Sequence, residues 1–66
     1  MSRATTDALV LQALADGPAT LTTITRVTGL RREAVRDALD RLVGGGLARD
    51  VAAVGFGTDA RWERAE

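Results

Sequence analysis

The chain contains no cysteine, histidine, lysine or tyrosine, and Ser2 is its only serine. Without cysteine there is no disulfide staple and no thiolate metal site. Without the other three, the usual nucleophile–base pairs and most general bases are missing. Nine acids remain, but they are scattered, with no clustered Asp-x-Asp spacing to suit a hard cation. Enzyme activity, a cofactor and a resident metal are therefore not expected. No apolar run approaches the length of a membrane helix, and Met1-Ser2-Arg3 does not lead into a signal-peptide core, so a cytoplasmic protein with no membrane partner is expected. Phe56 and Trp62 are the only aromatics, which argues against an RNA or single-strand binder that stacks bases on aromatic platforms.

What is present is arginine: nine of them against the nine acids, for a net charge of zero. Nucleic-acid binders are usually basic overall, so neutrality counts against one. The distribution is uneven, however. From Arg26 to Arg41 there are five arginines and three acids, and elsewhere four arginines and six acids. The local field decides whether a polyanion is drawn to one face. A chain of 66 residues makes one domain at most, here 1–66, with a modest core.

The chain is organised around Thr20–Leu42. Leu21, Ile24 and Val27 are spaced by three, where a strand would need apolar residues at Thr23 and Thr25, so a short helix over about 20–28 is predicted. Thr20 is its N-cap. Gly29 ends it, because glycine takes a positive φ at no steric cost. A second run, Ala34, Val35, Ala38, Leu39, Leu42 and Val43, forms one apolar stripe on a helix over about 31–43. Arg32, Glu33, Arg36, Asp37, Asp40 and Arg41 take its other face. The Gly44-Gly45-Gly46 connection is longer than a cap needs and is expected to be mobile.

Before this stretch, Thr5 or Thr6 can cap a helix over about 5–15, with Asp7 in its first turn. Its apolar residues, Ala8 to Leu11, Ala13 and Leu14, leave little polar face. The helix should be buried on more than one side, one against the other two helices and the remainder against the wing or a second subunit, and Leu9, Val10 and Leu14 are candidates for a dimer seam. Asp16-Gly17-Pro18 closes it. After Gly46, residues 47–54 and 60–64 read as two strands joined by a loop at 55–59, a hairpin over about 47–64 that Trp62 would pin to the helices.

Ile24, Val27, Gly29, Leu30, Val35, Ala38, Leu39, Leu42, Gly46 and Leu47 carry a resemblance. ITRVTGLRREAVRDALDRLVGGGL is similar to the winged helix-turn-helix of small prokaryotic transcription regulators of the MarR, ArsR and IclR type, over about Thr6 to Arg64. The resemblance implies a mainly α fold, three helices plus a two-stranded wing. It also implies double-stranded DNA as partner, a third helix that reads the major groove, and a homodimer. The missing Ser or Thr cap on the third helix departs from that pattern.

Arg31, Arg32 and Arg36 lie in the N-terminal half of this helix, where arginine can pair with guanine O6 and N7. The competing explanation is a solvated face with i, i+4 pairs Arg36–Asp40 and Asp37–Arg41. That explains Arg31 and Arg32 less well than Arg36 and Arg41, because cations oppose the dipole at a helix start. Thr22, Thr23, Thr25 and Arg26 are candidates for phosphate contacts, and Arg49, Arg61 and Arg64 for backbone or minor-groove contacts. Phe56, flanked by glycines in the loop, is a candidate interaction anchor. It supports the rival reading, a protein-interaction module on the same scaffold, as do the neutral charge and the acids of the third helix.

Overall fold

Ser2 starts the first helix. In the computed structural model, which describes residues 2–51 and 60–65, the Ser2 hydroxyl accepts from the Thr5 N–H at 3.2 Å, and α1 runs Arg3–Ala13. The cap therefore lies upstream of Thr5 and Thr6. Thr6 is instead 9% exposed, and its hydroxyl donates back to the Ser2 carbonyl at 3.1 Å. Asp7 falls beyond the first turn and reaches across to another helix.

Thr6, Val10 and Leu14, spaced by four, form the inner line of α1. Ala8 on the far side is exposed, while Leu9, Leu11 and Ala13 are half-buried. This corrects the expected seam: Val10 and Leu14 are 0% and 2% exposed within this one chain, because α1 packs on α2 and α3, so neither can face a second copy.

Beyond Gly17 and Pro18 comes a two-residue strand, β1, Ala19–Thr20, and then α2, Leu21–Thr28. The Thr20 hydroxyl accepts from the Thr23 N–H at 3.2 Å and caps α2. Ile24 is fully buried, but Val27 is 64% exposed. At about 100° per residue, each step of three drifts the line by about 60°, so Leu21 and Val27 end on opposite sides of Ile24 and only one can meet the core. Gly29 stops the helix with φ +71° and bonds the Thr25 carbonyl at 2.9 Å.

Helix α3 spans Arg32–Gly44, with Arg31 at its N-cap making no side-chain cap bond. Val35, Ala38, Leu39 and Leu42 are buried, and Val43 at 39% exposure marks the edge of the stripe. The three-glycine connection is tied down. Leu47 N–H donates to the Leu42 carbonyl at 2.8 Å and Gly46 N–H to Val43 at 3.1 Å, a Schellman pattern with Gly46 at φ +77°.

Strands β2, Ala48–Val51, and β3, Arg61–Arg64, pair antiparallel with Asp50 opposite Trp62. The two-stranded wing is joined by a third strand: β1 pairs with β3 on its other edge, Ala19 opposite Trp62 and Thr20 opposite Arg61, giving the order β1-β3-β2. Trp62 packs against the core together with Leu11, Leu21 and Leu30. Phe56 and the expected loop lie outside the described residues.

Candidate nucleic-acid interface

The start of α2, one flank of α3 and strand β3 enclose a groove of about 320 Å³. Thr20 at the N-cap and Thr22 in the first turn of α2 line it on one side, and Arg32, Arg36 and Asp40 from α3. Spacing by four puts those three on one line of the helix. Ala60 and Trp62 form the opposite wall, with Leu21 and Leu39 between. The groove exists because Thr20 does two jobs. Its backbone pairs with β3 while its hydroxyl caps α2, so the strand and the helix start side by side.

Of the residues singled out from the sequence, Thr22, Arg32 and Arg36 meet in this groove. Arg31 is exposed at the N-cap of α3 and does not line it. The Thr23 N–H and hydroxyl are both engaged by Thr20, and the Thr25 hydroxyl donates to the Leu21 carbonyl at 2.7 Å. Neither threonine is as open to a phosphate as Thr22. Arg26 is exposed in the last turn of α2, where the helix dipole already favours a cation. Arg61 is exposed, but strand alternation turns it to the sheet face opposite Trp62. Arg49 is held by Glu63, Nε to Oε1 at 3.0 Å, and Arg64 is exposed opposite Ala48. Thr20, Asp40 and Trp62 were not expected as walls of a site; only Thr20, through its capping pattern, carried a local signal.

The charges of α3 are not spent on one another. Among the described residues, the ion pairs are Arg41–Asp7 and Arg49–Glu63; neither Arg36–Asp40 nor Asp37–Arg41 forms. Arg41 turns to α1 because Asp7 offers both oxygens at hydrogen-bond range, and this bond, with the charges of Asp7 and Asp37, raises the Arg41 pKa despite some desolvation. Measured around α3 from the buried line of Val35, Ala38, Leu39 and Leu42, the residues pointing farthest outward are Glu33, Asp37 and Asp40. Arg32 and Arg36 sit on the flank toward the groove. So α3 presents Arg32 and Arg36 beside the outward pair Glu33 and Asp37, with Asp40 bordering both lines, all exposed. Among the described residues, no helix is long and apolar enough to cross a membrane.

No protein-family model matches the sequence. No curated protein matches it either. Solved structures do. The ZitR protein of Lactococcus lactis, in a variant solved in complex with DNA, superposes with TM-score 0.81 at 24% identity, covering 92% of this chain and 42% of that one. A second ZitR variant, in apo form, gives TM-score 0.79 at 24% identity over 96% of this chain and 47% of that one. Human N-acetylserotonin methyltransferase, in complex with SAM, gives TM-score 0.77 at 20% identity over 97% of this chain but 18% of that one. The chain thus spans less than half the length of these neighbours. At this identity the likeness speaks for architecture, and the architecture is a winged helix-turn-helix: three helices with a small antiparallel sheet.

Proposed function

We propose that this chain is a double-stranded DNA-binding module of a cytoplasmic transcription regulator, with α3 entering the major groove. The observation that carries this reading is the groove beside α3, where Arg32 and Arg36 stand without an ion pair among the described residues, next to Thr22 at the open start of α2. Two cations and the helix-start donors of α2, against the single acid Asp40, converge on one concave face, an arrangement that suits a phosphate backbone. The ZitR neighbour solved with DNA supports it by likeness of fold. Arg31, Arg26 and Arg61 would extend the contact beyond the groove, and Thr23 would add only what its capping bond leaves free. Binding as a homodimer belongs to the same reading, with a seam that avoids Val10 and Leu14. No catalytic role or cofactor is assigned.

The test is fluorescence anisotropy against a random duplex at low and at moderate salt. Binding that weakens steeply with salt supports the reading. No binding at low salt ends it.

A protein-interaction module is the second reading, favoured by the outward acids of α3 and by Val27 and Leu47, 64% and 53% exposed. The same fold makes up a small part of a methyltransferase chain, so it does not dictate DNA. Phe56 would be its anchor. In that case Phe56→Ala abolishes capture of a cellular partner and Arg61→Ala slows only its association; on DNA, Arg61→Ala weakens binding across all sequences and Phe56→Ala matters little.

A further inference from the structure

The two charged rows of α3 constrain what it can read. This inference rests on the proposal that α3 enters the major groove. Glu33 and Asp37 are one turn apart on the outermost line of the helix and would lie deepest in the groove. Both are exposed, and neither forms an ion pair among the described residues. The Arg41 guanidinium, one turn on from Asp37, bonds Asp7 instead. The arginines that would otherwise neutralise the row, Arg32 and Arg36, are turned to the groove flank.

An ionised carboxylate only accepts hydrogen bonds. Guanine O6 and N7 and thymine O4 are acceptors too, and repel it. The amines are the donors: cytosine N4, and adenine N6 with the acceptor N7 beside it. A carboxylate against adenine gains one bond and meets one lone pair; against cytosine it meets the amine alone. Arginine has the opposite preference, for guanine O6 and N7. We infer that α3 is a reader of C·G pairs, with Glu33 and Asp37 accepting from cytosine N4 amines while Arg32 and Arg36 take guanine edges or phosphates on the flank.

The rise between residues four apart on a helix is about 6 Å, and bases on one strand are about 3.4 Å apart, so the two cytosines should fall one or two base pairs from each other. The acids also explain why so arginine-rich a helix need not hold any duplex tightly: each wrong base or misplaced phosphate meets an anion.

The experiment is selection of bound sequences from a random duplex pool by the full chain, run for the wild type, Glu33→Gln and Asp37→Asn. Circular dichroism is the control for whether the exposed substitutions leave the fold intact. The wild type should enrich cytosine at two nearby positions, and loss of one of them should weaken binding about tenfold. Glu33→Gln should move one position toward adenine, which glutamine matches at N6 and N7, and leave the other unchanged; Asp37→Asn should do the same at the second. Unchanged selected sequences with uniformly tighter binding in both variants would overturn the inference, because the acids would then only repel phosphates. Failure of the wild type to retain any duplex at low salt would overturn the DNA reading itself, and this one with it.

Discussion

Arg41 of α3 closes on Asp7 of α1, with Nη2 2.7 Å from Oδ1 and Nε 3.2 Å from the same oxygen. The two residues are 34 positions apart in sequence, so the pair clips the first helix to the third. It also removes Arg41 from the helix it stands on, leaving Asp37 without the partner that sequence spacing offered. Asp7→Asn should lower the thermal midpoint at low salt, and the loss should shrink as salt screens what remains. Scanning calorimetry at two ionic strengths checks it; an unchanged midpoint means the clip is not stabilising. A group whose pKa rises on folding stabilises below its unfolded value and loses that contribution only as pH climbs past the folded one. Arg41 starts high and is raised further, so the clip's arginine contributes undiminished through the mildly alkaline range.

Two glycines should respond in opposite directions. Gly29 sits at φ +71° with open space around its missing Cβ, so Gly29→Ala meets only backbone strain and should cost about 1 kcal/mol. Gly44 is helical and equally open, and Gly44→Ala should gain about 0.5–1 kcal/mol through propensity and a stiffer unfolded chain. Urea titrations of both variants decide; two losses would mean that the end of α3 is more crowded than its geometry shows.

Thr20→Ala removes the cap of α2 but leaves its strand pairing, and should cost about 1 kcal/mol. Thr20→Asn should restore most of it. The Thr23 amide reports the site directly: its hydrogen exchange should quicken in the alanine variant and slow again with asparagine.

On DNA, position relative to the groove should matter more than charge alone. Arg32→Ala or Arg36→Ala should cost about 1–3 kcal/mol where a base contact is lost, or flatten the salt slope by about one unit where a phosphate contact is lost. Arg49→Ala, with its guanidinium already held by Glu63, should do neither. Anisotropy titrations across a salt series separate the outcomes, and equal losses at Arg49 and Arg36 would mean that the groove does not direct DNA binding.

The parts of the fold that were legible in the sequence are those where a pattern repeats. Val35 to Leu42 spells out two helical turns, and Gly29 after Ile24 marks a stop that only a positive φ explains. Val27 misled because a run of three apolar positions fits a helix line only until the line rotates away from its neighbours. Ala19–Thr20 stayed hidden because two residues show no alternation. The arginines and Thr22 stood out as polar residues on helical faces. That Trp62 and Asp40 would share a groove with them depends on how the sheet docks, and no local spacing encodes it. For Arg41 the nearest acid along the helix lost to a distant one whose carboxylate was better aimed.

The middle strand of the sheet is the one made last. Ala19–Thr20 and Ala48–Val51 do not pair with each other, so until Arg61–Arg64 docks between them each keeps open backbone donors and acceptors on the edge that β3 fills. The sheet is closed by a keystone. A form truncated short of it leaves two unpaired edges, which is where this fold is most exposed to pairing with copies of itself.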